Sequence, residues 1–104
     1  MENAQMVEKL SPSARQAAMG GLPLWKDIEG RDAIARTFRF KDFNAAFDFM
    51  THCAAKANQL DHHPEWFNVY DRVEVTLTTH ECVGLSERDV EFAHFMDNVA
   101  DKTP

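Results

Sequence analysis

The chain has 104 residues, and its 11 Lys and Arg against 17 Asp and Glu give a formal charge of −6 with histidine neutral. Hydrophobic residues make up 44% and charged residues 27%, which is the composition of a globular protein and excludes a disordered chain. The length predicts one domain over residues 1–104, with residues 1–10 as a loose leader. The acidic balance argues against direct nucleic-acid binding, which needs a basic face.

No stretch has the features of a targeting segment or a membrane helix. Residues 1–9 lack the apolar core of a secretory signal, and no apolar run approaches the roughly 20 residues that cross a bilayer. Cys53 and Cys82 lie far apart without a C-x-x-C pair, which favours free thiols in a reducing compartment. We therefore expect a cytoplasmic protein that does not bind membranes.

The first part of the chain predicts a short helix and then an antiparallel hairpin. The helix begins at the N-cap Ser11, which precedes a proline, and ends before the Gly-Gly pair at 20–21. Strands are predicted over 22–29 and 33–40 because apolar and polar residues alternate there and turn-forming residues occupy 30–32.

The strongest helical periodicity runs from residue 42 to residue 59. One apolar stripe at helical spacing is predicted to pack on the sheet: Phe43, Ala46, Phe47, Met50, Ala54 and Ala57. A second stripe outside the first consists of Ala45, Phe49, His52, Cys53 and Lys56. Apolar groups on two sides of a helix usually mean two packing partners, and the second partner could be another subunit. A single exposed Phe49 on an ordinary surface explains the pattern about as well.

The second part of the chain predicts a loop, another hairpin and a last helix. The loop covers 60–66 and the strands cover 67–72 and 73–81. Ser86 begins the helix, and Asp89 three residues later completes a capping box. The resulting order α-β-β-α-β-β-α predicts an α+β fold, a four-stranded antiparallel sheet with helices on one face.

Three of the five histidines cluster around the second predicted hairpin. His62 and His63 precede its first strand, and His80 ends its second. Since the start of one antiparallel strand lies beside the end of the next, the three rings are predicted to be neighbours. Imidazole titrates near neutral pH, so one ring can donate a proton as the cation while another accepts one. This pattern favours acid–base chemistry.

Two kinds of side chain could complete such a site. Trp25 and Trp66 could form flat walls for an aromatic ligand, although tryptophan more often belongs to a core. Asp61 and Asp89 could orient or charge-stabilise an imidazole, although Asp89 is already explained as a helix cap.

A zinc site is a weaker alternative for the same region. The three clustered histidines and Cys82 are zinc-type ligands. Their spacing matches no zinc motif, and adjacent histidines rarely both reach one ion. We therefore expect no metal.

Three segments together resemble the pterin-4a-carbinolamine dehydratases, whose animal members are also called dimerisation cofactors of hepatocyte nuclear factor. They are Asp61–Tyr70, Thr78–Cys82 and Gly84–Asp89. The family pattern is a His pair followed by Pro, an aromatic residue, a later His and then an Asp, and the resemblance extends from about Leu10 to Val99.

The resemblance implies an enzyme that needs neither a metal nor an organic cofactor. Such an enzyme removes water from 4a-hydroxy-tetrahydrobiopterin, which aromatic amino-acid hydroxylases release, and gives quinonoid dihydrobiopterin. It implies three catalytic histidines, with His62 and His80 as general acid and base and His63 orienting the pterin. The implied substrate-binding residues are Trp25, Asp61, Trp66 and Asp89.

One position departs from the animal pattern. Asn58 stands four residues before His62, where many members carry Glu. Asn forms hydrogen bonds but carries no charge. If that Glu raises the pKa of a neighbouring imidazole, this chain lacks the effect.

The resemblance also implies a homodimer or homotetramer in which the long helices pair. The residues expected at that interface are Ala45, Phe49, His52 and Cys53. Animal members use the same helix surface to hold the dimerisation segment of a homeodomain transcription factor. A coactivator role, with the nucleus as a second location, is therefore the alternative to catalysis.

Overall fold

The computed structural model describes residues 7–104. Three helices and four strands follow one another in the predicted order. Their bounds are α1 Pro12–Gly20, β1 Lys26–Asp27, β2 Ile34–Arg39, α2 Phe43–Leu60, β3 Glu65–Val69, β4 Arg72–Leu77 and α3 Glu87–Lys102. A short 3₁₀ helix, His80–Cys82, lies between β4 and α3.

The four strands form one sheet in the order β1-β2-β4-β3, with every neighbouring pair antiparallel. Central β4 pairs Leu77 with Ile34 on one side and Thr76 with Glu65 on the other. Its Val73 and Val75 are buried, whereas Glu74 is exposed, so the strand has one covered face. The predicted α+β fold, with helices on one face of a four-stranded antiparallel sheet, is confirmed.

The core lies between the sheet and the two longer helices. Inward residues of β2 and β4 meet side chains from α2 and α3 in a single cluster. The helical members buried there include Phe49, Cys53 and Ala57 of α2 and Phe92, Ala93 and Met96 of α3. No residue of α1 is buried. Within residues 7–104, no helix combines the length and apolar character that crossing a bilayer requires.

The observed strands are shorter than the predicted ones at several ends. β1 has two residues because the chain before it turns, with the Trp25 amide donating to the Leu22 carbonyl at 3.0 Å. β3 begins at Glu65, two residues earlier than predicted. β4 ends at Leu77, beyond which Thr79 and Gly84 exchange backbone hydrogen bonds. His80 therefore lies in the turn between them and not on a strand.

The assignment of the two stripes on α2 is wrong for several residues of each stripe. Ala45, Phe49 and Cys53, predicted to contact another subunit, are 5%, 0% and 0% exposed because this protein's own core covers them. Phe43 and Phe47, predicted to pack on the sheet, are 43% and 52% exposed. Of the four predicted interface residues, His52 alone is exposed.

The predicted leader falls partly on residues 1–6, which lie outside the described residues. The remainder is attached rather than loose, since the Leu10 amide donates to the Leu85 carbonyl at 2.8 Å. The Leu10 side chain also packs against the core. Both cysteines are free thiols, as predicted: Cys53 is buried and Cys82 is half-buried.

Candidate active site

The structure brings the three clustered histidines to one cleft of about 360 Å³. The residues lining it are Arg31, Asp61, His62, His63, Glu65, Thr78, His80 and Glu81. The sheet register explains this meeting, because Glu65 at the start of β3 pairs with Thr76 near the end of β4. Residues just before β3 and just after β4 therefore reach the same end of the sheet. The predicted proximity of the histidines is confirmed.

A second cavity, of about 340 Å³, adjoins this cleft. The two share Arg31, Thr78 and His80. The second is lined in addition by Gly30, Asp32, Thr79 and Val83. His80, an exposed residue, therefore lines both hollows.

His62 is the most enclosed of the three histidines, with 6% of the residue exposed. Its Nε2 lies 2.6 Å from Oδ1 of Asp89, which is fully buried. A carboxylate can only accept, so Nε2 carries the hydrogen and donates it. In the neutral ring Nδ1 is then the acceptor, and this is the nitrogen left for exchanging protons with a ligand.

Asp89 is itself held by a chain of buried donors. Its Oδ2 accepts hydrogen bonds from the Thr79 hydroxyl at 2.7 Å and from the Ser86 amide at 2.9 Å. The Ser86 and Thr79 hydroxyls are also hydrogen-bonded to each other. Because the Thr79 proton points to Asp89, the Ser86 hydroxyl donates to Thr79. Both carboxylate oxygens are therefore engaged, and the His62 ring has a single orientation.

His63 is exposed and has a different partner. Its Nε2 lies 3.0 Å from Oδ1 of Asn58, five positions earlier in the last turn of α2. The amide oxygen accepts the Nε2 hydrogen, which fixes the ring without placing a negative charge beside it. Asn58, the position where the chain departs from the animal pattern, thus acts on His63 and not on His62.

Arg31 and Glu65 form a charged pair on the wall of the cleft. The guanidinium Nη1 and Nη2 donate to Oε1 and Oε2 at 3.0 and 2.8 Å. These hydrogen bonds lower the pKa of Glu65 and raise that of Arg31. Neither residue is predicted from the sequence. They are 34 positions apart, and only the position of Glu65, two residues after His63, hinted at a place in the cleft.

Three residues predicted to bind substrate do not line the cleft. Trp25 is 3% exposed and belongs to the core, where its Nε1 donates to Asp97 at 2.9 Å. Trp66 packs partly on the core and lines a separate surface hollow. Asp89 is fully buried behind His62, so it positions that ring instead of contacting a ligand. Asp61 does line the cleft, as the left-handed cap of α2.

The structure gives no ligand set for the zinc alternative. Across residues 7–104, no three His, Cys, Asp or Glu side chains are arranged to hold a metal ion. Cys82 lies beside the backbone, with Sγ 3.5 Å from the Gly84 carbonyl oxygen. Desolvation, followed by the charge of Asp89, raises the pKa of this thiol.

The chain matches one protein family over most of its length. The family model described as pterin 4 alpha carbinolamine dehydratase matches residues 8–99. A provisionally named pterin-4-alpha-carbinolamine dehydratase of Burkholderia vietnamiensis (strain G4) is 55% identical over 98 residues, 94% of this chain and 96% of the relative. A provisionally named homologue of Burkholderia multivorans (strain ATCC 17616) is 57% identical over 95 residues, 91% of this chain and 93% of the relative.

Two solved structures share the fold. One is a Brucella melitensis protein described as a transcriptional coactivator/pterin dehydratase, with a TM-score of 0.86 and 48% identity. The alignment covers 88% of this chain and 98% of the Brucella melitensis chain. The other is a pterin dehydratase-like protein described as a RuBisCO assembly factor in the alpha-carboxysome, with a TM-score of 0.64 and 22% identity. This second alignment covers 73% of this chain and 88% of the carboxysome protein. At this identity the similarity supports the fold alone.

Proposed function

The chain belongs to the pterin 4 alpha carbinolamine dehydratase family, and on that basis we propose that it removes water from 4a-hydroxy-tetrahydrobiopterin by histidine acid–base catalysis. The product is quinonoid dihydrobiopterin. Its reduction regenerates the pterin cofactor of aromatic amino-acid hydroxylases. The reaction needs two proton transfers and no redox change. The proposal therefore requires only two imidazoles placed around one substrate.

The observation that supports this proposal most is the His62–Asp89 hydrogen bond behind a cleft that His80 also lines. A buried carboxylate that fixes an imidazole tautomer is an arrangement suited to proton transfer, because one ring nitrogen is held and the other remains available. His80 differs from His62 in being exposed. The two rings thus have different environments, which suits a division into donor and acceptor.

The proposed step is an elimination across the C4a–N5 bond of the pterin. The C4a–O bond breaks with its electron pair on the hydroxyl, which takes a proton from a cationic imidazole and leaves as water. N5 loses its proton to a neutral imidazole, and the released pair forms the C4a=N5 double bond. His62 and His80 divide these two transfers. His63, fixed by Asn58, orients the ring, and solvent returns the imidazoles to their starting protonation states.

The test is the dehydration rate of freshly generated 4a-hydroxy-tetrahydropterin, followed by ultraviolet absorbance. Native protein is compared with His62→Ala, His80→Ala and the double variant, and with His94→Ala as the matched control. His94 is an exposed histidine of α3 that does not line the cleft. We expect acceleration over the spontaneous reaction, a loss of about 10²–10⁴-fold in the double variant, and native rates with the control. A native protein that does not accelerate the reaction would contradict the proposal.

A second candidate function is protein interaction through the outer face of α2. Phe43 and Phe47 remain 43% and 52% exposed, and their ring centroids lie 5.6 Å apart. Two adjacent exposed aromatics favour an interaction site over scattered surface residues. We propose that a second copy of this chain covers them in a homodimer or homotetramer. A transcription-factor segment, suggested by the Brucella melitensis description of a coactivator, is the alternative partner.

Light scattering after size exclusion tests this second candidate. We expect Phe47→Glu to reduce the measured mass to that of the monomer and Asn98→Glu, a matched change at an exposed site of α3, to leave the native mass. An unchanged oligomer with Phe47→Glu would contradict self-association through this face. A native protein that is already monomeric would also contradict self-association, and the partner of Phe43 and Phe47 would then be a different protein.

A further inference from the structure

The cleft contains one permanently cationic group that the acid–base scheme does not use. Among the residues that line the histidine cleft and its neighbouring cavity, Arg31 is the only Arg or Lys. A guanidinium has five N–H donors. Two of them bind Glu65, and in the part of the chain that is described no other hydrogen bond of the Arg31 side chain is found. Arg31 therefore has donor capacity left at the cleft wall.

The backbone around Arg31 is held firmly, which suits a residue that positions a ligand. Gly30 has a φ of +84°, a left-handed conformation that other residues adopt at a cost. The Asp32 carbonyl accepts a hydrogen bond from the Thr78 hydroxyl at 3.0 Å. The Asp32 carboxylate accepts another from Nε of Arg15 at 3.0 Å. The turn that presents Arg31 is thus attached to the segment just after β4 and to α1.

Apart from the imidazoles, the remaining ionisable side chains that line the cleft are acidic. Glu65 neutralises Arg31, and the cleft also has the carboxylates of Asp61 and Glu81. Glu81 lies 3.8 Å from Nη1 of Arg88, which does not line the cleft. A ligand with a phosphate or a carboxylate tail would meet these carboxylates, and the lining residues include no Arg or Lys other than the paired Arg31 to attract it. A neutral heterocycle can still accept hydrogen bonds from a guanidinium whose charge is already neutralised.

We propose that Arg31 binds the substrate by donating hydrogen bonds to the ring carbonyl oxygen of an uncharged pterin, and that its pairing with Glu65 selects against phosphorylated or glutamate-bearing pterins. This proposal rests on the dehydratase function above and specifies the substrate class of the same site. It adds Arg31 and Glu65 to the binding residues.

The pair is poorly suited to a purely structural role. The side chains of Arg31 and Glu65 are 47% and 57% exposed. Ion pairs that are this open to water contribute little to folding, because solvent screens the attraction and two long side chains lose freedom. Their position on the wall of the histidine cleft therefore matters more than their contribution to stability.

The experiment compares Arg31→Ala, Arg31→Lys and Glu65→Gln with native protein. Arg39→Ala is the matched control, since Arg39 is an exposed arginine at the end of β2 that lines neither cavity. Substrates are the 4a-hydroxy forms of tetrahydrobiopterin and of a tetrahydropterin with a phosphorylated side chain. KM and kcat are measured separately, and urea unfolding of each variant monitors the fold.

For the neutral substrate we expect Arg31→Ala to raise KM roughly fivefold to tenfold with a smaller change in kcat, as loss of a hydrogen bond to a bound ligand would. Arg31→Lys should restore part of this loss, and Arg39→Ala should match native protein. Glu65→Gln should lower KM for the phosphorylated substrate several-fold while changing KM for the neutral one less. An unchanged KM in Arg31→Ala would overturn the proposal. So would an unchanged preference between the two substrates in Glu65→Gln.

A binding measurement separates failure of this proposal from failure of the proposed function. Binding of 7,8-dihydrobiopterin, a stable pterin, is followed by quenching of tryptophan fluorescence in native protein and Arg31→Ala. If native protein binds this pterin through Arg31 but does not accelerate dehydration, the proposed dehydratase activity is overturned and the binding role of Arg31 stands. Native protein that accelerates dehydration but binds equally well without the Arg31 side chain would overturn only the role of Arg31.

Discussion

Oδ1 of Asp89 lies 2.6 Å from Nε2 of His62, while Oδ2 of the same carboxylate accepts the amide of Ser86. The first contact orients a ring in the cleft, and the second completes the capping box that begins α3. One buried side chain therefore couples a helix terminus to the candidate catalytic site. The cap fixes where Asp89 lies, and Asp89 fixes how His62 is presented.

Replacing Asp89 with Asn should damage both catalysis and stability. An amide has one oxygen and one NH₂, so it cannot accept from His62 on one side and from Thr79 and Ser86 on the other. In one orientation of the amide, the His62 ring loses its hydrogen-bond acceptor. In the other, the NH₂ group faces the Thr79 hydroxyl and the Ser86 amide, which are both donors. We expect kcat for dehydration to fall about 10²-fold and the free energy of unfolding to fall by about 1–3 kcal/mol. Absorbance kinetics and urea unfolding measure the two effects.

Asp97→Asn is the matched control for that substitution. Asp97 is a half-buried acid of α3 that accepts a hydrogen bond from Trp25 and does not line the cleft. The Asp97→Asn variant should be less stable than native protein but should keep the native kcat. If both variants lose activity in proportion to their stability, Asp89 is only a helix cap.

The site could be predicted from the sequence wherever its residues follow from local patterns. His62 and His80 meet because two strands pair, and alternation and turn signals reveal that pairing. Asp89 is recognisable as a cap from its spacing to Ser86. That its other oxygen reaches His62 could not be predicted, because the contact spans 27 positions and depends on how α3 meets the loop before β3.

The errors on α2 and on the tryptophans have a common physical cause. Periodicity shows that a helix has apolar sides, but the side that is buried depends on its tilt against the sheet and α3. Phe49 and Phe47 are two positions apart and both apolar, yet one is 0% and the other 52% exposed. Likewise, tryptophan more often belongs to a core than to a ligand wall, but only the neighbours of Trp25 decide between the two.

The exposures of Phe49 and Phe47 predict very different stability effects on truncation. Phe49→Ala should lower the free energy of unfolding by about 3–5 kcal/mol, because a fully buried ring leaves a cavity. Phe47→Ala should change it by less than about 0.5 kcal/mol at low protein concentration, where self-association contributes little. Urea unfolding by circular dichroism measures both. Equal losses would mean that the helix packs with a different face inward.

The two thiols should differ sharply in reactivity. Burial raises the pKa of Cys53 to about 12, and the residue is fully enclosed, whereas Cys82 is half-buried. Ellman's reagent should therefore label one thiol in folded protein and two in denaturant, and Cys82→Ser should remove the label of the folded state. Labelling of Cys53 at the native rate of Cys82 would contradict this assignment.

The raised pKa of Cys53 also sets a direction for stability against pH. In the unfolded chain this thiol ionises around its ordinary value of 9.0, whereas the folded value is about 12. Its contribution to stability is therefore complete below pH 9 and is lost as the pH rises toward 12. Native protein should lose stability more steeply over this interval than Cys53→Ala. Parallel curves from urea unfolding would show that the thiol is not coupled to folding.

Introducing Glu at position 58 should change how the reaction depends on pH. Nε2 of His63 now donates to an uncharged amide oxygen 3.0 Å away. A carboxylate at that position would favour the protonated ring, because an opposite charge within hydrogen-bond distance stabilises the cation. Because His63 orients the pterin, its charge affects substrate binding, and we expect one limb of the pH profile of kcat/KM of Asn58→Glu to move toward higher pH. Asn58→Gln, which adds length without charge, should leave the limb in place. NMR titration of the His63 ring gives an independent check, since a ring signal that titrates identically in native protein and Asn58→Glu would show that this position does not control His63.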